Sequence, residues 1–325
     1  MFAIVGTGHY LPARTVSSDE LDEAAGRPAG WTRSKFAIAS RHYADMTETS
    51  SFMAAEAARA ALDDARWKAD AVDVVVGACG VMEQPIPGTA VLVQRRLGLG
   101  GSGVPAFDVN ATCLSFLPAL DHVLAGMQAG RWRRALVVSA DISSAALDPS
   151  QPEASVIFGD GAAAVALEAG GPHQLRACRL ETYGEHADLC RLEAGGTRLR
   201  PDQDLDAFLA GAKFRMEGAA LFRATAKRFP GFLQRLLDAA KVTLADLSTV
   251  IPHQASAAAL DHLAQAIGDR GRIVDVFANV GNMIATSLPY ALHVARRAGR
   301  LQAGTNSLLV GSAAGISLGG AVIRW

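Results

Sequence analysis

Cys113 lies where a strand-like pattern meets a helical one. The segment Phe107-Asp-Val-Asn-Ala-Thr-Cys-Leu-Ser-Phe116 runs through small residues to the thiol, and helical spacing begins at Leu114. A thiol at a helix N-terminus meets the positive end of the macrodipole and unpaired N–H groups, which lower its pKa and favour the nucleophilic thiolate. The competing reading is a small buried hydrophobe. Val250-Ile-Pro-His-Gln-Ala255 ends an apolar strand at His253, placed to reach into a pocket; a satisfied structural histidine fits the same position. In Ala278-Asn-Val-Gly-Asn-Met-Ile284, Gly281 permits close backbone approach and Asn282 offers an amide donor, although alone the segment is only a turn. The C-terminal Leu308-Leu-Val-Gly-Ser-Ala-Ala-Gly-Ile-Ser-Leu-Gly-Gly320 is a strand followed by small residues whose N–H groups suit an oxyanion hole, or tight strand packing.

These residues need a rigid frame, and the chain has the material for one. Of its 325 residues 50% are hydrophobic, 19% are charged and the net charge is −1, which fits a globular protein and gives no basic footprint for nucleic acid. No stretch approaches the ~20 uninterrupted apolar residues of a membrane span. Met1-Phe-Ala-Ile-Val-Gly reads as a first strand and not as a signal peptide, so a cytoplasmic location is expected. Cys79, Cys113, Cys178 and Cys190 show neither C-x-x-C spacing nor an accompanying His pair, so no metal site or disulfide framework is expected. Cys79 reads as core, while Cys178 and Cys190 fit surface or satellite core equally.

Apolar β-branched runs alternate with Ala-rich helical stretches, the mark of an α/β layered fold with a buried sheet. Strands are expected at 4–5, 73–77, 107–109, 135–139 and 162–167, with helices at 51–65, 89–97 and about 113–129. After an irregular stretch from about 170 to 209 come helices at 218–240, 255–267 and 285–298, with strands at 249–251, 273–276 and 307–310. Asp108-Val109, Leu117-Pro118, His122-Val123 and Ala135-Leu-Val-Val138 have counterparts in Asp275-Val276, Leu288-Pro289, His293-Val294 and Ser307-Leu-Leu-Val310. The chain therefore divides into two similar halves, 1–170 with Cys113 and 171–325 with His253 and Asn282. In that register Cys113 falls near Asn282, and a pseudo-twofold brings the two turns together. Gly6-x-Gly8 lacks the third glycine and the acidic residue of a dinucleotide site, and reads as a strand-end turn. Gly159-Asp-Gly161 reads as a turn with a structural aspartate.

Phe107-Asp-Val before Cys113, Ile157-Phe-Gly-Asp-Gly-Ala162, Pro252-His-Gln-Ala255, Gly281-Asn282 and the small-residue C-terminal strand occur in one order and spacing. Together they resemble the ketoacyl synthase III branch of the thiolase superfamily, the 3-oxoacyl-acyl-carrier-protein synthase III enzymes, along nearly the whole chain. The resemblance implies a five-layer αβαβα thiolase fold, a homodimer, and a Cys-His-Asn site. By position, Cys113 takes an acyl group from a thioester, while His253 and Asn282 hydrogen-bond the carbonyl of a second. The acyl oxyanion would be held by the Cys113 N–H and one from the Ala314-Gly315 turn. The substrates implied are acyl-coenzyme A or acyl-carrier-protein thioesters, with no metal or other cofactor.

The departures from the family pattern concern substrate. Trp31 matches a residue that stacks on adenine, but Lys35 stands where Arg is usual and Pro152 replaces a second Arg, which weakens nucleotide recognition. Ile86 takes the place of a pocket-wall Phe and would leave room for a longer or branched chain. Arg223 keeps a basic carrier-docking position and Ala258 loses another; Lys227, Arg228 and Arg235 are further cations for an acidic partner, or an ordinary solvated helix face. The expected activity is a decarboxylating Claisen condensation of an acyl thioester with a malonyl-type thioester, in specialised lipid or secondary metabolism. The alternatives are acyl transfer to an O, N or C acceptor without decarboxylation, and a catalytically silent partner subunit.

Overall fold

Runs such as Ala135–Ala140, buried at every residue, require strands covered on both faces, and the chain supplies that cover twice. The computed structural model describes all 325 residues. One sheet has the order Phe2–Tyr10, Gly161–Ala169, Arg134–Asp141, Val74–Gly77, Ala106–Asp108. The other has the order Gln174–Thr182, Ser317–Arg324, Asn306–Ala313, Leu247–Pro252. In both, the outermost strand and the next two pair antiparallel and the following pair is parallel. The two sheets therefore repeat one topology, with all strands of the first before residue 170 and all of the second after it.

Three hydrophobic clusters define the layers. Helices Phe116–Gln128 and Ser287–Arg297 lie between the sheets, where Leu117, Leu120, Leu288 and Leu292 meet Val137 and Val165 from one sheet and Leu309 and Ile323 from the other. Helices Ser50–Ala65 and Thr89–Arg96 cover the outer face of the first sheet. Gly218–Ala240 and Ala257–Ile267 cover that of the second. The result is the αβαβα stack expected from the sequence. No helix is long and apolar enough to cross a membrane.

Four expectations change. The stretch 170–209 is not wholly irregular, because Gln174–Thr182 forms an edge strand of half-buried residues whose weak apolar alternation hid it. Ile273 makes one bridge to Val250 and no strand follows. The Gln254 amide replaces the ladder there: its Nε2 donates to the Val274 carbonyl (3.0 Å) and its Oε1 accepts from the Val276 N–H (3.0 Å). Gly6 and Gly8 lie inside the strand Phe2–Tyr10, not in a turn. Helix Ser50–Ala65 crosses so closely that a Cβ at Gly6 or Gly8 would come within 2.1 or 2.2 Å of the Ala61 or Ala57 carbonyl oxygen. Lastly, the helix after Cys113 begins only at Phe116, because Leu114 and Ser115 belong to turns closed on the Ala111 and Thr112 carbonyls.

The halves are joined at a buried carboxylate. Asp141, at the end of its strand, accepts from the Gly80 and Val81 N–H groups and from the N–H and Oγ1 of Thr286, at 2.7 to 3.0 Å. Burial nevertheless pushes its pKa up to about 6. With the folded value raised, the stability this group contributes is complete below the unfolded pKa of about 3.9 and is lost as pH rises through about 6. Asp141→Ala strands four donors and is expected to cost roughly 3 kcal/mol or more. Urea titration should show that deficit larger at pH 5 than at pH 7; a shift below about 0.5 kcal/mol would remove Asp141 as the joint.

Candidate active site

The turn carrying Cys113 and the turn carrying Asn282 are copies of each other. Asn110 Oδ1 accepts from the Thr112 N–H (2.9 Å), and Asn282 Oδ1 accepts from the Ile284 N–H (2.9 Å). Ser115 Oγ accepts from the Ala111 N–H, and Ser287 Oγ accepts from the Met283 N–H. Thr112 and Ile284 hold the left-handed backbone at φ +51° and +49°, an unusual state for β-branched residues that these side-chain locks impose. The twin of Asn282 is thus Asn110, and Cys113 corresponds to Ala285. The signal was present in the sequence as Asn110-Ala-Thr-Cys-Leu-Ser115 beside Asn282-Met-Ile-Ala-Thr-Ser287.

Cys113, His253, Asn282 and Ala314 line one largely apolar cavity of about 1170 Å³ between the two turns and the outer helices of the second sheet. The backbone N–H groups of Ala314 and of Cys113 itself lie close enough to the sulfur to favour its thiolate. Gly315 only makes the turn behind them, with φ +132°. The expected lowering of the thiol pKa does not hold. Burial pushes it up, the neighbouring Cys190 and Asp141 add to that, and the two N–H groups oppose it. The helix whose dipole was to lower it starts three residues later.

His253 follows the strand Leu247–Pro252, its N–H bonded to the Val310 carbonyl (2.8 Å). Burial alone holds its pKa down to about 4, and Nδ1 has no protein partner, so the ring is neutral with its tautomer unfixed. Asn282 is aimed by its own hydrogen bonds: Oδ1 is held by Ile284, and Nδ2 donates to the Ala255 carbonyl (3.4 Å). That leaves one amide hydrogen free to face the cavity. Cys190, left open between surface and satellite core, lines this cavity as well, and burial pushes its pKa up to about 11.

The remaining substrate positions separate. Lys35 lines the cavity, but its ammonium pairs with Glu153 at 2.5 Å. Trp31 is not on the wall: it stands beside Lys35 (5.5 Å) and Arg27 (5.1 Å) as a ledge outside. Ile86 is not on its own chain's wall either. Residues 80–85 line the cavity, then the chain turns outward and leaves Ile86 86% exposed. Arg223 is exposed, because Leu221, Phe222, Thr225, Ala226 and Phe229 form the inward stripe of its helix and position 223 lies off it. Arg228 and Arg235 are engaged by Glu185 and Glu181. Of the cations singled out on this helix, Arg223 and Lys227 are the two without an ion pair.

Residues 107–184 match the family model of 3-oxoacyl-[acyl-carrier-protein] synthase III, and residues 237–325 match the model of its C-terminal part. The chain belongs to that family. It is 37% identical to a β-ketoacyl-[acyl-carrier-protein] synthase III of Streptomyces coelicolor, over 99% of this chain and 96% of the relative. It is also 37% identical to an acetoacetyl CoA synthase of another Streptomyces, over 100% and 98%. The crystal structure of the Aquifex aeolicus 3-oxoacyl-[acyl-carrier-protein] synthase III superposes with a TM-score of 0.90 at 28% identity, covering both chains in full. Family membership makes the chain a thiolase-fold acyltransferase, a condensing enzyme that acts on acyl thioesters.

Proposed function

We propose that Cys113 carries the acyl group of a decarboxylative Claisen condensation and that His253 and Asn282 generate its carbon nucleophile. The supporting observation is that these three side chains line one cavity, with the Ala314 and Cys113 N–H groups near the sulfur and favouring its thiolate. Resting thiol and imidazole are both neutral, so charge develops only during reaction. In the first step the sulfur attacks the acyl thioester, the donor's C–S bond breaks, and the thiol proton leaves with the donor thiol. The Cys113 and Ala314 N–H groups hold the transient oxyanion. In the second, a malonyl-type thioester loses CO₂, and donors from His253 and Asn282 hold the enolate oxygen. The enolate carbon then attacks acyl-Cys113, a C–C bond forms, the C–S bond to Cys113 breaks, and the departing thiolate takes from solvent the one proton that each turnover consumes. The two thioesters balance the reaction, so the scheme needs no cofactor.

The Lys35–Glu153 pair supports a carrier-protein donor over coenzyme A. Its cation is already neutralised where a nucleotide phosphate would seek charge, and Arg223 and Lys227 remain for an acidic carrier. We assign the working form as a cytoplasmic homodimer. Intact-protein mass spectrometry after incubation with acyl-coenzyme A, acyl-pantetheine and acyl-carrier thioesters tests the reading. The expected result is one adduct on Cys113, formed fastest from the carrier; folded protein with no adduct from any donor would overturn it.

A further inference from the structure

Arg41 is the largest side chain with no exposure at all. Its guanidinium makes one hydrogen bond, Nη1 to the Phe158 carbonyl (2.9 Å), while Nε and Nη2 have no protein partner. Burial lowers its pKa only to about 10, so the charge persists at neutral pH. The buried carboxylate of Asp160, two residues beyond the carbonyl that Arg41 bonds, is committed to Ala44, Ser143 and Ser144. A buried charge without a counter-ion is costly, and such groups are kept where they act on something.

What Arg41 touches is the frame of Asn282. The Asn282 N–H donates to the Ile157 carbonyl (2.7 Å), and the Gly159 N–H donates to the Asn282 carbonyl (3.1 Å), so Phe158 faces Asn282 across a bridge. Arg41 holds the carbonyl in the middle of that bridge. Its Nη1 also fills the space beside Gly281, where a Cβ would lie 3.5 Å away and where φ is +67°. The flanking backbone fastens the same segments, since the Ala39 N–H donates to Ala278 (2.7 Å) and the Asp160 N–H donates to His42 (2.9 Å). Ile157, Phe158 and Asn282 line the cavity; Arg41 does not, and reaches substrate only through them.

We propose that Arg41 is a positioning residue for the carbanion step: it sets the Phe158–Asn282 bridge so that the free amide hydrogen of Asn282 faces the enolate oxygen, and its buried charge makes that wall favour an anion. This rests on the role proposed above for Asn282. The test separates the half-reactions in Arg41→Met and Arg41→Lys, reading Cys113 acylation by intact mass and malonyl-thioester decarboxylation by CO₂ release. Arg41→Met is expected to lose about 30- to 100-fold in decarboxylation kcat, with KM and the acylation rate within about threefold of the parent, and Arg41→Lys to recover to within about tenfold. Equal loss in both half-reactions, no loss, or no rescue by lysine would each overturn it. Should Arg41→Met fail to fold, Arg41→Lys decides alone: a decarboxylation loss of about three- to tenfold with acylation spared supports the proposal, and parallel loss refutes it. Asn282→Ala serves as the control. If it stops decarboxylation while Arg41→Met does not, Arg41 alone is wrong; if it leaves decarboxylation intact, the reading of the site fails with it.

Discussion

Cys113→Ala takes up no acyl group from any thioester and loses condensation by at least about 10³-fold, roughly 4 kcal/mol of barrier, while still releasing CO₂ from a malonyl-type thioester. The split follows from the division of labour. Only the sulfur becomes covalently bonded, and nothing nearby replaces it: the Ala314 and Cys113 N–H groups are trained on position 113, and burial keeps the second thiol, Cys190, protonated with a pKa pushed up to about 11. The proposed enolate donors lie elsewhere, His253 after its own strand and Asn282 in a turn locked by Ile284 and Ala255. Removing one sulfur from an open cavity strands no hydrogen bond of the fold, so the melting temperature should stay within a few degrees of the parent. Intact mass, product chromatography and CO₂ release read the three quantities separately. Undiminished condensation by the variant would sink the assignment, and an adduct moved to Cys190 would show that the cavity, not position 113, selects the nucleophile.

How much of this was legible beforehand depended on whether the signal was local. Buried strands such as Arg134–Asp141 announce themselves by unbroken apolar runs, and the repeat of strand, turn and helix gave the two halves. The edge strand Gln174–Thr182 has no such run, since one face is half-exposed. The expected strand at 273–276 failed for a side-chain reason, the Gln254 amide, which no periodicity encodes. Cys113, His253 and Asn282 could be singled out as candidates that share a cavity because each lies in a connection between elements with a recognisable local pattern. The direction of the thiol's pKa was not, because it is set by burial beneath residues far off in the chain, which outweighs a helix dipole that begins too late. Arg41 and Cys190 gave no sequence signal at all: a lone arginine in Ser40–Tyr43 reads as surface until the segments at 157–160 and 278–282 close over it.

Asn282→Ala and His253→Ala should each lower malonyl-thioester decarboxylation by about 10²- to 10³-fold, the usual cost of one preorganised oxyanion donor, and Asn282→Asp should be worse than Asn282→Ala because it sets a carboxylate beside a developing enolate. Acylation of Cys113 in Asn282→Ala should stay within about threefold of the parent, since the acyl oxyanion uses backbone donors instead. The pH dependence separates this from imidazolium catalysis. With its pKa held down to about 4 by burial, His253 is neutral across pH 6 to 8, so the decarboxylation rate should be flat there and fall only as pH drops toward 4 and the ring charges. A step centred near pH 6.5 that vanishes in His253→Ala would mean that the working residue is an ordinary solvated histidine. Cys113 should behave oppositely. Its pKa is pushed up, so the thiolate fraction, and with it alkylation by iodoacetamide, should climb about tenfold per pH unit between 7 and 9 without a plateau. A plateau in that range would mean a thiolate already formed at neutral pH. A flat decarboxylation profile beside a steep alkylation profile is the signature of a site whose two charges are both suppressed until substrate arrives.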